Sequence, residues 1–110
     1  MITHHQLTFG VGGRPPIGKS SRRTLAEHRY LWHVARVARV FRDRYAPGWP
    51  LDSVAYYVTV RHSPLVDKSR LRMALADALT GVLWRDGAAV AWSVVADESV
   101  GDGIMISVTG

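Results

Sequence analysis

The hydrophobic positions of this chain follow two different periods, and the period of two marks the β-strands. Apolar residues alternate with polar ones from Ile2 to Val11 and, more regularly, from Leu51 to His62. Two short apolar runs near the end of the chain, Ala88–Ala96 and Ile104–Val108, predict two further strands. The segment Asp97–Gly103 ends in an Asp-Gly pair, which predicts a hairpin-like connection between these last two strands.

Spacings of three and four mark two amphipathic helices. Thr24 and Glu27 form a capping-box pattern, so the first helix is predicted to begin there and to end near Tyr45, before Pro47 and Gly48. Its predicted core face is formed by Tyr30, Leu31, Val34, Ala35, Val37, Ala38, Phe41 and Tyr45. The second helix is predicted to follow Asp67 and to bury Leu71, Ala74, Leu75, Ala78, Leu79 and Val82. The order β-α-β-α-β-β predicts an α+β fold, with two helices on a mixed four-stranded sheet, in one domain spanning residues 1–110.

Composition narrows the functional classes. The chain has no cysteine, which excludes disulfides and thiolate metal sites, and no apolar run of about 20 residues that would cross a membrane. We expect a cytoplasmic protein. The net charge is +5, and arginine supplies twelve of the fourteen basic residues, which favours a polyanionic partner such as nucleic acid. A general bias of the genome toward arginine would produce the same composition.

The segment between the first strand and the first helix is rich in glycine, proline and basic residues. Its residues 13–20 fit the pattern GxxxxGK[ST] of a nucleotide-binding loop. However, Pro15 and Pro16 remove two of the backbone N–H groups that such a loop uses to bind phosphates. We therefore favour a basic loop that contacts DNA phosphates. The residues expected to do so are Arg14, Lys19, Arg22 and Arg23.

The polar face of the first helix contains an unexpected tryptophan. Trp32 lies on the same predicted arc as Arg29, Arg36, Arg39 and Asp43, opposite the core face. A large aromatic residue is unusual on the surface of a monomer. Trp32 either anchors a dimer or another partner, or it is covered by a loop or by the stem of an arginine.

Three carboxylates, Asp67, Asp77 and Asp86, lie in the segment around the second helix. Carboxylates gathered from a turn, a helix and the start of a strand are typical ligands of Mg²⁺. Each also has a structural explanation: Asp67 as the N-cap of the helix, Asp77 as a partner of Arg70 or of a backbone group, and Asp86 as a turn residue before a glycine. Nearby His62 is either a catalytic base or a hydrogen-bonded histidine at the end of a strand.

The same segment resembles the core motif of the RusA family of Holliday junction resolvases (crossover junction endodeoxyribonucleases). The family pattern is D-x-D-N-L-x-K-x-x-x-D-A-L-x-G-V-x-x-x-D-D-x-Q-V, and the chain has DKSRLRMALADALTGVLWRDGAAV from Asp67 to Val90. The resemblance extends over nearly the whole chain, through GRPPIGKSSRR, the Tyr-Leu-Trp-x-x-x-Arg helix and Trp-Pro-Leu. It implies a RusA-like fold, a homodimer, branched DNA as substrate and Mg²⁺ held by carboxylates.

Several of the positions that carry the family's chemistry are substituted. Asp67, Asp77 and Asp86 are kept, but the second Asp of D-x-D is Ser69, and the next residue, an Asn in the family, is Arg70. The helix Lys is Met73, and the second Asp of the Asp-Asp pair is Gly87. Of the three carboxylates expected on the metal only Asp67 matches, and Arg70 brings a cation to the place where Mg²⁺ would bind.

These substitutions predict a DNA-binding protein of recombination, repair or phage DNA processing, with a degraded nuclease site and no cofactor or only weakly bound Mg²⁺. Its DNA contacts would include Arg70, and Asp67 and Asp86 would hold a metal only if one is retained. Two alternatives stay open: an active Mg²⁺-dependent Holliday junction endonuclease with displaced ligands, or a module that binds a protein through the Trp32 face.

Overall fold

The computed structural model describes residues 6–17, 24–49, 55–64 and 66–110. Within them the elements in chain order are β1 (Gln6–Val11), α1 (Leu25–Tyr45), β2 (Ala55–His62), α2 (Lys68–Leu79), β3 (Ala89–Ala96), a 3₁₀ turn (Glu98–Val100) and β4 (Ile104–Thr109). The predicted starts of the first two strands, residues 2–5 and 51–54, lie outside the described residues. The α+β prediction is confirmed, with two α-helices and one four-stranded sheet in the described part of the chain.

The sheet is mixed, with the strand order β1-β4-β2-β3. β2 and β3 are parallel, and α2 provides the crossover that a parallel pair requires. β4 is antiparallel to both of its neighbours, β1 and β2. The chain therefore runs up β2, back along α2, up β3, and down β4 on the other side of β2.

The hairpin predicted at Asp97–Gly103 is wrong, because β2 lies between β3 and β4. The segment instead carries the chain across the end of β2, where the backbone N–H of Asp97 donates to the carbonyl of His62 at 2.8 Å. Asp97 also accepts hydrogen bonds from the backbone and the hydroxyl of Ser99, and these bonds lower the pKa of its carboxyl group. The Asp-Gly signal is local, so it marks a turn without showing which strands the turn joins.

Both helices pack on one face of the sheet, and alternate strand residues point into the core between the two layers. Leu7, Phe9 and Val11 of β1 are buried as their alternation predicts. The equivalent residues of the two central strands are Tyr56, Val58, Val60, Ile104, Ile106 and Val108. The helices contribute Leu31, Val34, Ala38, Leu71, Leu75 and Leu79. Fully burying one side chain of this size stabilises the fold by about 1.5–3 kcal/mol. The apolar faces of both helices are therefore held against the sheet, and the opposite faces are left toward solvent.

One residue of the predicted core face is exposed. Tyr45 is 64% accessible although the helical wheel places it beside Leu31 and Val34. It lies next to β1, an edge strand, and therefore has the sheet on only one side. Its ring contacts Phe41 at a centroid distance of 5.7 Å, and the Cζ atom of Arg44 lies 5.6 Å from the Tyr45 ring centroid. A helical wheel gives direction around the helix but contains no information about where the sheet ends.

The start of α1 is confirmed at the predicted cap. The Thr24 hydroxyl accepts a hydrogen bond from the backbone N–H of Glu27 at 3.1 Å, which satisfies one of the free donors of the first turn. Near the other end, Arg42 donates to the carbonyl of Val82 at 3.1 Å and thereby ties α1 to the segment after α2. No helix in the described part of the chain is both long and apolar enough to span a bilayer.

Candidate nucleic-acid interface

Asp67 has the structural role that its position in the sequence suggests. It is the N-cap of α2, and its Oδ1 accepts a hydrogen bond from the backbone N–H of Arg70 at 3.0 Å. The side chain is exposed, at the end of β2 where the chain turns into the helix. An N-cap carboxylate satisfies a free N–H group and interacts favourably with the helix dipole, and neither effect needs a metal.

Asp77 and Asp86 lie far from Asp67. Asp77 is ten residues further along α2, a distance of about 15 Å on a straight helix. Asp86 precedes β3, whose first residue pairs with the first residue of β2, whereas Asp67 follows the last residue of β2. Because β2 has eight residues, Asp67 and Asp86 lie beside opposite ends of a strand about 26 Å long.

The three carboxylates therefore do not form a metal site within one chain. Mg²⁺ binds its oxygen ligands directly at about 2.0–2.1 Å, so carboxylates at opposite ends of the sheet cannot share one ion. Across residues 6–17, 24–49, 55–64 and 66–110, no three His, Asp or Glu side chains lie close enough together to hold a metal ion. Within one chain, the described residues do not fit the Mg²⁺ site that the RusA resemblance implies.

The substituted positions are consistent with this geometry. Gly87 has φ +87°, a conformation that residues with a side chain rarely adopt, so a second aspartate there would strain the turn. Met73 is 60% exposed on α2, and Arg70 is half-buried one turn before it. His62 is almost completely buried, and its Nδ1 donates to the carbonyl of Ser63 at 2.6 Å. It is a buried strand-end residue with one hydrogen-bonded ring nitrogen, and its Nε2 has no hydrogen-bond partner among the described residues.

Substitutions of Asp67 test whether it is a cap or a metal ligand. We expect Asp67→Ala to lower the free energy of unfolding by about 1 kcal/mol, because the Arg70 N–H loses its acceptor. Asp67→Asn should change it by less than about 0.5 kcal/mol, because asparagine caps helices about as well as aspartate. Urea denaturation followed by circular dichroism, with and without 10-fold excess Mg²⁺ as a check, measures both values. Stabilisation of the unsubstituted chain by Mg²⁺, lost in Asp67→Asn, would contradict the purely structural role.

The strongest concentration of exposed positive charge in the described residues lies on the outer arc of α1. Arg29, Arg36 and Arg39 are exposed there, and no acidic residue occurs between His28 and Val40. Trp32 is 69% exposed in the middle of these arginines, and the Cζ atom of Arg36 lies 5.8 Å from its ring centroid. We call Arg29, Trp32, Arg36 and Arg39 the outer α1 surface. It combines guanidinium groups with an accessible aromatic face.

The five DNA contacts predicted from the sequence differ in how far the structure describes them. Arg14 is exposed in the loop after β1. Lys19, Arg22 and Arg23 lie outside the described residues. Arg70 is half-buried at the start of α2, which makes it less available to a ligand than the arginines of α1. The N-terminus of a helix also favours anions, because its first N–H groups point outward.

The sequence placed Trp32 on the polar arc of α1 and left two alternatives open, an anchor for a dimer or another partner, or a ring covered by a loop or by an arginine stem. The structure shows that no loop of the described chain covers Trp32, and that Arg36 lies against its ring. The signal for a nucleic-acid surface was the absence of acidic residues over the same stretch.

Neither the protein-family models nor the curated proteins compared with this sequence match it. The order of the described elements, with two helices on a mixed four-stranded sheet, is compatible with the fold that the RusA resemblance implies.

Proposed function

We propose that this protein binds DNA that exposes unstacked bases, at a branch point or in a single strand, and does not cleave it. The binding site is the outer α1 surface together with the basic loop that leads into it. The observation that carries the proposal is the exposed Trp32 flanked by Arg29, Arg36 and Arg39. Arginine forms forked hydrogen bonds to phosphates, and an accessible indole ring stacks on a base of any sequence.

The two contributions to affinity differ in kind. Phosphate contacts by the arginines release counterions, so this part of the binding falls steeply as salt increases. Stacking of a base on an aromatic side chain is worth about 1–3 kcal/mol and depends only weakly on salt. The close approach of Arg36 to Trp32 holds the indole ring on the outer face and adds positive charge beside the stacked base.

The RusA resemblance supports the choice of DNA and of branched substrates. In that family, cleavage requires carboxylates that hold Mg²⁺, and the separation of Asp67 from Asp86 by the length of β2 does not suit such a site. The proposal therefore keeps the DNA binding implied by the resemblance and omits the cleavage. A homodimer, which the resemblance also implies, would present two outer α1 surfaces to a junction.

A gel-shift experiment with three DNAs tests the proposal. We expect a four-way junction and a single strand to bind more tightly than a linear duplex of the same sequence, and all three to bind at least tenfold more weakly when salt is raised from 50 to 200 mM. The same samples incubated with Mg²⁺ or Mn²⁺ report cleavage. Absence of any shift at low salt would refute the proposal.

Cleavage would support the nuclease alternative instead. If the junction is cut in Mn²⁺, and Asp67→Asn and Asp86→Asn each abolish the cutting, then the protein is a resolvase with displaced ligands. Cutting that persists in both variants would point to a contaminating nuclease, because neither aspartate would then contribute.

A further inference from the structure

A small cavity lies between the end of α2 and the first half of the edge strand β3. Its volume is about 250 Å³, just below the roughly 300–1,000 Å³ of sites for drug-sized ligands, so it suits a single ring system. It is lined by the last turn of α2, the turn at residues 85–88 and the start of β3, and we call it the α2–β3 pocket. None of its lining residues belongs to α1, so it is separate from the outer α1 surface.

The inner wall of the α2–β3 pocket is aromatic. Trp92 is half-buried in β3, and its ring is perpendicular to the ring of the buried Trp84, with their centroids 5.7 Å apart. Three other lining residues have at most a methyl side chain and leave the space beside the indoles open: Ala76, Gly87 and Ala88. A half-buried indole beside an open space of this size suits a flat ring that stacks on it.

The mouth of the pocket carries a guanidinium group and a carboxylate. Arg85 and Asp86 are exposed neighbours in the turn that leads into β3. A hydrogen bond from the backbone N–H of Ala88 to the carbonyl of Arg85, at 3.1 Å, closes this turn, and Gly87 gives its third position a φ of +87°, as in a type II turn. The two charged residues are therefore adjacent on a hydrogen-bonded turn. Asp86 has no hydrogen-bond or ion-pair partner among the described residues.

This pair of side chains distinguishes between the flat rings of the nucleobases. A carboxylate only accepts hydrogen bonds, so it pairs best with a base edge that has two adjacent donors. Guanine has them at N1 and at its 2-amino group, whereas adenine, cytosine and thymine each have one donor group on that edge, next to an acceptor. On the adjoining edge, O6 and N7 of guanine accept two hydrogen bonds from one arginine. An arginine beside an aspartate therefore matches guanine better than any other base.

From the aromatic wall, the small side chains next to it and the adjacent Arg85 and Asp86, we infer that the α2–β3 pocket binds a guanine base. The base stacks on the Trp92 ring, its N1–H and 2-amino groups donate to Asp86, and its O6 and N7 accept from Arg85. The sugar and the phosphate stay in solvent, so a free nucleotide and an unpaired guanine in a DNA strand both present the required group. The inference does not depend on DNA binding by the outer α1 surface.

Nitrogen–proton correlation NMR of the whole chain tests this site with nucleotides. The probes are GMP, IMP, which lacks the 2-amino group, AMP, which presents a different edge, and ribose 5-phosphate, which has no base. We expect GMP to shift the signals of Gly87 and Trp92 with a dissociation constant below about 1 mM. IMP and AMP should bind at least tenfold more weakly, and ribose 5-phosphate should leave both signals unchanged. Equal affinity for the three nucleotides would overturn the inference.

A trinucleotide distinguishes a free nucleotide from a DNA strand as the source of the base. The single strand T-G-T presents guanine between two thymines, and T-A-T is its control. Shifts of Gly87 and Trp92 with T-G-T and not with T-A-T support the inference and assign the pocket to DNA. Shifts with GMP alone support it and assign the pocket to a free nucleotide. Absence of these shifts with both guanine probes would overturn it.

Substitution of Asp86 tests the selectivity. Asp86→Asn keeps the size of the side chain but replaces one acceptor by a donor, so GMP should bind at least tenfold more weakly and lose its preference over AMP. Asp102→Asn is the matched control, at an exposed aspartate between β3 and β4, and should bind GMP as the unsubstituted chain does. Both positions are exposed, so both variants should keep the fold, which circular dichroism checks. An unchanged preference for GMP in Asp86→Asn would overturn the inference.

Discussion

Replacing Arg29 and Arg36 together by glutamate is expected to weaken binding of a four-way junction at least a hundredfold at 50 mM salt. Each Arg→Glu change removes one positive and adds one negative charge, so the double variant loses two phosphate contacts and repels the backbone. The expected loss corresponds to about 2.8 kcal/mol, since each tenfold change in affinity is worth about 1.4 kcal/mol. The measurement is a titration of labelled junction at several salt concentrations. The dependence of log affinity on log salt should become shallower by about two units.

A charge-matched variant controls for the general loss of positive charge. Arg61 and Arg85, on the sheet and in the turn before β3, are exposed outside the outer α1 surface. Their double glutamate variant has the same net charge, +5 − 4 = +1, and should bind the junction within about tenfold of the unsubstituted chain. Equal weakening in both double variants would contradict a specific site on α1.

Trp32→Ala, which retains every charge, should weaken binding of a single strand without changing its salt dependence.

Trp84→Ala is expected to lower the free energy of unfolding by about 3–5 kcal/mol. Trp84 is 3% exposed, with its ring 6.2 Å from that of Tyr56 and 5.7 Å from that of Trp92. Its indole N–H donates to the Thr80 hydroxyl at 3.0 Å, and Thr80 in turn donates to the carbonyl of Ala76. The substitution would leave a cavity between the end of α2 and the start of β3. Urea denaturation followed by far-UV circular dichroism measures the loss.

The matched control is Trp32→Ala, the same substitution at an exposed position. Because Trp32 is 69% exposed and lies on the outer face of α1, we expect its removal to change stability by no more than about 0.5 kcal/mol. Losses of similar size in the two variants would show that Trp32 is buried by a contact absent from the isolated chain, such as a second copy. The pair therefore also tests the assignment of Trp32 to a ligand-binding surface.

The separation of Asp67 from Asp86 has the greatest consequence for the function. Both residues match the RusA pattern, and in the sequence they flank a single helix, so they look like parts of one site. The parallel pairing of β2 with β3 places them at opposite ends of the same pair of strands. The helix between them, α2, is a crossover connection. It carries the chain from the end of β2 back to the level of the start of β2, so that β3 can run parallel to β2.

Two of the positions that differ from the RusA pattern agree with the proposal that the chain does not cleave DNA. Gly87 gives the turn before β3 a positive φ that an aspartate would not favour, and Asp67 is already engaged as a helix cap. Positive charge is concentrated on α1 and in the sequence before it. Both observations support the proposal of DNA binding without cleavage.

The sequence by itself determined the local features of this protein. The capping residues Thr24 and Asp67, the amphipathic faces of both helices and the alternation of β2 depend on neighbours within a few positions, so periodicity and cap chemistry predicted them. The net positive charge followed from the composition, and the place of Trp32 on the polar face of the first helix followed from the helical period, whereas its exposure was left open. These features were sufficient for the α+β class and for nucleic acid as the expected partner.

Only the tertiary structure decided how the strands are ordered, and the candidate sites depend on that order. The insertion of β2 between β3 and β4, the exposure of Tyr45 beside the edge strand and the distance between the two aspartates all arise from pairings between residues far apart in the chain. Such pairings are chosen by the combined packing of the whole core, and no short stretch of sequence contains that information. For this reason the sequence grouped Asp67, Asp77 and Asp86 as candidate ligands of one retained metal, whereas the parallel pairing of β2 and β3 separates Asp67 from Asp86 by the length of a strand.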